Sequence, residues 1–438
     1  MVTKINKEKL EAISISLFRL GLVLTATAMP LEILPNRYIS LLSWVINLLL
    51  LQWPLFVLLA GKNKIRISFK LDKLIIAALF LPLIAISLSA LASVNMSVSF
   101  LELRSILVLV VRSLVIIFFS SPEDIKIFIK SVYIVTALVV AFAIFQYFGD
   151  LIGISSKITG IIKNYSSRGD HPFPRVHSFA HEPLYLANYL LISAGFIAGD
   201  IVKNRKNTKL WLKILFILTL SIIIITVARG AIYGMVLALI MLIIFVRDLS
   251  FIKQIFSYFA LSVFFSLLML GSASFIKNQF IIDDFSSHAA STADGSVTNR
   301  TATWKYAVKS FIMSPLLGVG GSNSQYYIGD HVPKVASSAN VGLSKILVFN
   351  NTYLTYATEY GIIGLLSVIP LALLFIKIIK YIYNKRPNSY IVGVAAFFIA
   401  ILLQALSFEM LLIMRFWVMT AILIALYRFN ILNRAESI

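Results

Sequence analysis

The stretch RVHSFAHEPLY concentrates titratable side chains at the start of an apolar segment. Its first residue, Arg175, stays charged and can bind a phosphate group through two parallel hydrogen bonds. Glu182 can accept a proton from a hydroxyl group, and His177 and His181 can accept or donate protons near neutral pH. Pro183 suits the first turn of a helix, so Glu182 is expected at a helix N-terminus, where the helix dipole favours a carboxylate. The alternative interpretation is a helix start and nothing more.

Other arginines lie close to predicted membrane boundaries. Arg229 stands in VARGAIYG between two apolar runs, Arg300 opens an amphipathic segment, Arg168 precedes the first stretch, and Arg415 lies inside an apolar run. An arginine in or beside a bilayer is costly, so it usually has a partner or a role. Each one alone is explained by lipid headgroups or by acidic partners. The acidic residues that could form such pairs are Glu102, Asp150 and Glu409.

Arg175, Arg229 and Arg300 together favour a different interpretation. Several guanidinium groups that converge on one external cavity would suit a pyrophosphate, because each can bind phosphate oxygens in a bidentate manner. We therefore predict a diphosphate site built from separate connections of the chain.

The sequence predicts no metal site and no cofactor. There is no cysteine, and there is no HExxH motif beside His177 and His181. The chain also lacks GxxxxGK[ST], GxSxG, and GxGxxG after a strand, so nothing indicates an ATPase, a hydrolase of the nucleophile-elbow type or a dinucleotide-binding protein.

The composition predicts a polytopic membrane protein. The chain has 438 residues, of which 59% are hydrophobic and 13% charged, with a mean hydropathy of +0.90. A bilayer core needs about 20 apolar residues per helix. About twelve runs of that kind are present, so we expect an all-α transmembrane bundle that forms a single membrane domain over residues 1–438. The runs are 12–34, 40–61, 74–93, 105–120, 131–149, 183–202, 210–226, 230–246, 254–276, 352–376, 390–408 and 411–427.

Basic connections predict the orientation. Segments 62–73, 203–209 and 377–386 are rich in lysine and arginine, which favours the cytoplasmic side. With twelve spans, both termini are then cytoplasmic. The basic N-terminal residues followed by an apolar run indicate a retained signal anchor. The net charge of +20 is explained by this orientation and by contact with anionic lipid, so no nucleic-acid partner is expected.

Two long external loops remain, at about 150–182 and 277–351, and they hold all five histidines. The second loop contains an amphipathic helix at 300–313, with Trp304, Ala307, Val308 and Phe311 on its apolar face. Such a helix would lie on the membrane surface, cap a cavity, or be an ordinary surface helix. Pro315 and three glycines end it.

Four segments carry a resemblance to a known family: RVHSFAHEPLYLANYL, VARGAIYG, NRTATWKYAVKSFIMSPLLGVGGSN and NNTYLTYATEYGIIGLL. In this order, across roughly 175–366, the sequence resembles the O-antigen polymerase and O-antigen ligase superfamily of bacterial envelope polysaccharide assembly.

The resemblance implies a GT-C-like, mainly helical membrane glycosyltransferase without a metal ion. Its substrate would be a polyprenyl-pyrophosphate-linked oligosaccharide, handled at the outer face of the bacterial inner membrane, with membrane lipid and a chain-length regulator as further partners. The expected site residues fall into two sets. The expected catalytic residues are Arg175, Glu182, Arg229 and Arg300, with the three arginines on the pyrophosphate, and the expected substrate-binding residues are Arg168, His177, His181, Asn350, Asn351 and Arg415.

One departure from the family pattern favours the polymerase. Ligase-type members usually carry a histidine–asparagine pair before the span that begins NTYL, whereas here Asn350 stands in the place of that histidine. Asparagine cannot act as a general base, so the base is left open between Glu182, His177 and His181. Asn350 and Asn351 could bind sugar hydroxyls or cap a helix. The alternatives are a ligase that transfers glycan to a lipid core or a protein, and a twelve-helix transporter or flippase.

Overall fold

A computed structural model describes residues 2–31, 36–59, 69–167, 173–277, 295–324, 349–387 and 389–435. Most of these residues are helical, and none of them forms a β-strand. The helices are α1 (Val2–Ala28), α2 (Asn36–Leu59), α3 (Phe69–Leu91), α4 (Met96–Phe119), α5 (Pro122–Leu151), α6 (Ser156–Thr159), α7 (Pro183–Asn204), α8 (Leu210–Ile225), α9 (Arg229–Val246), α10 (Leu249–Lys277), α11 (Gly295–Met313), α12 (Thr352–Ser367), α13 (Ile369–Lys385), α14 (Ile391–Gln404) and α15 (Met414–Ala435). The prediction of an all-α, polytopic helical protein is confirmed.

Eight described helices are long and apolar enough to cross a membrane, namely α1, α2, α3, α5, α7, α9, α10 and α15. The pair α12 and α13, bent by 60°, counts as a ninth span if taken together. The other three predicted spans coincide with α4, α8 and α14. Helices α8 and α14 have 16 and 14 residues, and α4 carries Glu102, Arg104 and Arg112. About twelve spans are reached only if these shorter or more polar helices also cross.

Helix α7 is almost entirely buried, and α14 packs between it and α9. Glycines set the close approach of these helices. A Cβ on Gly393 would lie 2.1 Å from the backbone nitrogen of Gly199, and a Cβ on Gly234 would lie 2.8 Å from the carbonyl oxygen of Ala400. Small residues allow such contact where lipid supplies no hydrophobic drive for helix association.

Arginines inside the bundle have polar partners. Arg19 donates to Asp124 at 2.7 Å, and Arg112 donates to Asn47 at 2.8 and 3.0 Å. This pairing is the ordinary structural solution for a guanidinium group at membrane depth.

Helix α12 is broken at Gly361, whose φ of 64° and ψ of −161° are accessible essentially to glycine alone. The break removes helical partners from backbone groups of α12, and the segment that follows α11 replaces them. Val319 and Gly320 donate to the carbonyls of Thr358 and Glu359 at 3.0 Å each.

Backbone N–H groups of α12 also donate to carbonyls of the segment that follows α11. Ile362 donates to the carbonyl of Pro315 at 2.8 Å, and Ile363 donates to that of Leu316 at 3.2 Å. The PLLGVG and TEYGII motifs are therefore two halves of one structure, which we call the glycine interlock (residues 315–320 and 358–363).

Buried carboxyl groups lie against the interlock. Glu102 accepts hydrogen bonds from the hydroxyls of Ser322 and Tyr360 at 2.5 Å each, and Glu359 accepts one from Ser324 at 2.9 Å. Hydroxyl groups are the described partners of Glu102, where the sequence suggested an arginine. These contacts join α4 to the interlock.

The connections alternate between the two ends of the bundle. One end, which we call the loop end, carries the first long loop, the turn between α8 and α9, the start of α12 and the connection between α14 and α15. The basic connection after α7 lies at the opposite end, about 33 Å away by the rise of a 22-residue helix.

Candidate active site

Two polar residues near the end of α5 fasten the first long loop. Gln146 accepts the backbone N–H groups of His177 and of the next residue at 2.9 Å each. Asp150 accepts the hydroxyls of Ser166 and Ser167 at 2.7 Å each. The returning part of the loop, which carries Arg175, is thereby fixed against the bundle.

The guanidinium group of Arg175 lies between this loop and the turn after α8. Its Nε and Nη2 both donate to the carbonyl of Thr226 at 3.4 Å, and its carbon lies 5.7 Å from the ring centre of Tyr165. Hydrogen bonds of this length are weak. Because Thr226 stands three residues before Arg229, the structure brings the segments of these two predicted arginines together.

The turn between α8 and α9 is strained. Val227 has a φ of 53°, which a β-branched residue rarely adopts, and such strain persists only where the surroundings enforce it. Ala228 caps α9 without a side-chain hydrogen bond. Arg229 and the first N–H groups of α9 therefore favour an anion at the same place.

The connection between α14 and α15, which we call the central connection (residues 405–413), is held by the first residue of α12. The backbone nitrogen of Thr352 donates to Ala405 at 2.9 Å. Its hydroxyl donates to the carbonyl of Phe408 at 2.7 Å and accepts from the backbone nitrogen of Met410 at 3.0 Å. Both neighbours of Glu409 are thus fixed by one threonine.

Two other predicted segments meet the central connection. The rings of Tyr185, from the EPLY motif, and Phe408 pack edge to face with centroids 4.7 Å apart. A Cβ on Gly230, directly after Arg229, would lie 2.3 Å from the hydroxyl of Ser407. The starts of α7, α9 and α12 therefore converge on one short connection.

Arg415 lies just beyond this connection and is 1% exposed. Its Nε donates to Asn188 at 2.6 Å, and Asn188 donates in turn to Gln404 at 2.9 Å. The guanidinium carbon lies 5.7 Å from the ring centre of Tyr185. In this arrangement Arg415 ties α15 to α7 and α14.

Helix α11 packs against α12 and the residue that precedes its N-terminal turn. It begins at Gly295, five residues before the predicted start at Arg300. The indole of Trp304 donates to the carbonyl of Phe349 at 3.0 Å, and Thr358 donates to Ala307 at 3.2 Å. The backbone of Arg300 lies one turn before Trp304, and its side chain is outside the described part.

The buried face of α11 differs from the predicted apolar face. Thr303, Ala307 and Ser310 are buried, whereas Val308 is 49% exposed. Small side chains face α12 because the two helices approach closely there, and a hydropathy pattern does not capture that preference.

The two asparagines before α12 have different positions. The Oδ1 atom of Asn351 caps the helix, accepting from the backbone nitrogens of Tyr353 and Leu354 at 3.1 Å each. Asn350 has a φ of 49°, a left-handed conformation that asparagine tolerates. This turn places Asn350 two residues before Thr352, which bonds the central connection.

The charges of Arg175 and Glu182 both affect the pKa of Tyr165. Burial raises the pKa of Tyr165, the charge of Glu182 raises it further, and that of Arg175 opposes the rise.

Glu182 and His181 are exposed, and Glu182 is the N-cap residue of α7 without a side-chain cap bond. The predicted helix start at Pro183 is confirmed.

His177 is fully buried, and both ring nitrogens face backbone groups. Nδ1 lies 2.8 Å from the carbonyl of Ala180, and Nε2 accepts from the backbone nitrogen of Ile162 at 3.3 Å. This pairing requires a neutral ring with the proton on Nδ1. Burial lowers the pKa of His177 below its ordinary 6.5.

We therefore expect His177 to destabilise the protein in acid. Below about pH 6.5 the unfolded chain binds a proton that the folded chain binds less readily, so stability falls as the pH is lowered. Thermal unfolding in detergent between pH 8 and pH 5 should show a flatter acid decline in His177→Gln than in the unmodified protein. His181→Gln, at an exposed position, should keep the full decline. Identical slopes for all three proteins would contradict this role for His177.

Arg168 lies outside the described residues, so the structure does not place it.

The structure adds three residues around the central connection that the sequence did not single out as site residues, namely Glu409, Thr352 and Tyr185. Of these three, only Glu409 could have been suggested by the sequence, because it is a lone carboxylate between two apolar runs. Among the described residues, no group of three or more His, Asp or Glu side chains is placed to hold a metal ion.

Comparison with known proteins supports a specific family. A family model described as O-Antigen ligase matches residues 214–369, about a third of the chain, from α8 to the first residue of α13. The match includes Arg229, Arg300, the glycine interlock and the start of α12. No curated protein matches the chain. The family match gives no support to a transporter, and members of this family are membrane enzymes of polysaccharide assembly. The chain is a multi-pass membrane protein, and its residues 214–369 are similar to the O-Antigen ligase family.

Proposed function

We propose that this protein is a polysaccharide polymerase. It joins polyprenyl-pyrophosphate-linked oligosaccharide repeat units into O-antigen or a related envelope polysaccharide. The reaction takes place at the outer face of the bacterial inner membrane, and both termini lie in the cytoplasm. The placement of the basic connection after α7 at the end opposite to the loop end supports this orientation.

One observation carries the proposal. The segments of Arg175 and Arg229, which come from separate connections, meet at the carbonyl of Thr226. The uncapped start of α9 lies at the same place. Two guanidinium groups and a helix N-terminus form a strong combination for a diphosphate.

The transfer follows from this arrangement. A hydroxyl group of one repeat unit attacks the anomeric carbon of another, and the bond from that carbon to the prenyl diphosphate breaks. Negative charge accumulates on the departing diphosphate, where Arg175, Arg229 and Arg300 offset it. The step needs no metal ion and no organic cofactor. The diphosphate lipid is both the donor substrate and the membrane partner, and a chain-length regulator is a further partner.

Other predicted residues either bind the sugar or hold the helices of the site in position. Asn350, His181 and Glu182 lie at the loop end and can form hydrogen bonds with sugar hydroxyls, as can Arg168 in this proposal. Arg415 and Asn351 act at one remove, because their polar groups hold α7 and α12 in position.

Purified protein in detergent or vesicles, supplied with lipid-linked repeat units, should yield a ladder of products that differ by one repeat. Electrophoresis of the released glycan is the readout, and heat-unfolded protein is the control. A folded protein that makes no polymer from its cognate substrate would rule out this function.

The family description favours a ligase as the second candidate. A ligase uses the same diphosphate donor but transfers glycan to a lipid core or a protein. Deletion of the gene separates the two functions. Loss of a polymerase leaves single repeats on the final acceptor, whereas loss of a ligase leaves long chains on the carrier lipid.

A further inference from the structure

We propose that the Glu409 carboxylate is the general base that accepts the proton of the attacking sugar hydroxyl. This inference rests on the proposed glycan transfer and assigns the role that the missing histidine leaves open. Three features of the structure support it, namely the hydrogen bonding of the carboxyl group, its rigid support and its neighbours.

One oxygen of the carboxyl group has no hydrogen-bond partner among the described residues. Oε1 of Glu409 accepts a long hydrogen bond from the backbone nitrogen of Leu411 at 3.4 Å, whereas Oε2 is buried and no described residue donates to it. The hydroxyl of Thr355 lies beside the group but donates to the carbonyl of Asn351 at 3.0 Å. A buried carboxylate oxygen without a donor is costly. A substrate hydroxyl would supply the donor.

The backbone that bears the carboxyl group is held on both sides. The hydroxyl of Thr352 bonds the residues on both sides of Glu409, so the backbone at this position is fixed relative to α12. Fixed geometry is what a base needs, because it must stay within hydrogen-bond reach of one hydroxyl.

Glu409 lies next to the proposed diphosphate site. Ser407, two residues before it, meets the first turn of α9 at Gly230, where Arg229 begins that helix. Phe408 meets Tyr185 from the EPLY segment. Base and anion site are therefore borne by elements in direct contact, as a displacement at the anomeric carbon requires.

The other candidates fit this role less well. Both ring nitrogens of His177 already face backbone groups. His181 and Glu182 are exposed, so water competes with a substrate hydroxyl for their hydrogen bonds.

The proton and charge balance is complete. The attacking hydroxyl oxygen bonds to the anomeric carbon and gives its proton to Oε2 of Glu409. The carbon–oxygen bond to the diphosphate breaks, and its electron pair leaves with the prenyl diphosphate. The protonated carboxyl group then loses its proton to water, and the base is restored.

The surroundings make this carboxylate more basic than an exposed one. Burial raises the pKa of Glu409 above the ordinary 4.5, and the negative charge of Glu102 raises it further. Glu359 on α12 is the other described carboxyl group within electrostatic range. The transfer rate should therefore fall as the pH drops through this raised pKa, because the protonated form cannot accept a proton.

The test uses the full-length protein and measures initial rates with lipid-linked repeat units. Glu409→Gln should lower kcat by about 100-fold or more and leave KM for the lipid-linked donor unchanged. The pH dependence of the remaining activity should lose its acid limb. Formate should partly restore Glu409→Ala, since a small carboxylate can occupy the vacated space. Glu123→Gln, at an exposed position far from the loop end, is the matched control and should keep full activity.

The outcomes separate the two proposals. If the unmodified protein makes no glycan product, the proposed function fails and this inference falls with it. If the unmodified protein is active and Glu409→Gln keeps its rate and acid limb, only the assignment of the base is wrong. Should Glu409→Gln not fold, Glu409→Asp decides, since a base role predicts a reduced rate with the acid limb retained, and full activity contradicts it.

Discussion

Replacing Arg229 with lysine should lower the rate of glycan transfer by about 100-fold, as expected when one donor that stabilises developing negative charge is lost. Lysine keeps the positive charge, but it cannot form two parallel hydrogen bonds to a diphosphate. Arg229 also begins α9, where an uncapped helix N-terminus reinforces binding of an anion. Initial rates with lipid-linked repeat units measure the effect.

The control for this substitution is Arg205→Lys. Arg205 is exposed and pairs with Asp248 at 2.7 Å at the end opposite to the loop end, and exposed pairs contribute little to stability. Its rate should match that of the unmodified protein. An Arg229→Lys protein that folds and retains its full rate would remove Arg229 from the diphosphate site.

Replacing Gly361 with alanine should destabilise the protein by about 3 kcal/mol or more, the sum of backbone strain and a close contact. The backbone at Gly361 has a φ of 64°, and an added Cβ would lie 2.4 Å from the carbonyl oxygen of Leu316. That carbonyl accepts a hydrogen bond from Ile363. The substitution therefore opens the glycine interlock at its tightest point.

Thermal unfolding in detergent measures this effect, with Gly271→Ala as the matched control. A Cβ on Gly271 meets nothing within 4 Å, and alanine is the better helix former, so the control should unfold at the same temperature or above. Equal unfolding temperatures for Gly361→Ala and the unmodified protein would show that the interlock does not hold α12.

The apolar runs predicted the fold because a bilayer imposes a minimum length on each helix, and each predicted run coincides with a described helix or bent pair. Proline in EPLY placed the start of α7 correctly, since it fits only the first turn. The break in α12 was harder to predict. Gly361 alone is an ordinary helix glycine, and its role depends on backbone partners at Pro315 and Leu316, which lie far away along the chain.

The candidate site was only partly predictable for a related reason. Arg175 and Arg229 were suggested by charge at membrane boundaries, and the structure brings their segments together. Glu409 could not be placed from its neighbours in sequence, because its support comes from Thr352. Glu102 and Tyr360 are 258 residues apart. Such pairs arise from tertiary packing, which periodicity does not encode.

The central claim is that guanidinium groups from separate external connections bind one diphosphate. The most direct measurement is a structure of the protein with a prenyl diphosphate bound. We predict phosphate oxygens within about 3 Å of the guanidinium nitrogens of Arg175, Arg229 and Arg300, the distance of a charged hydrogen bond. A diphosphate bound elsewhere, with these three arginines remote from it, would contradict the account.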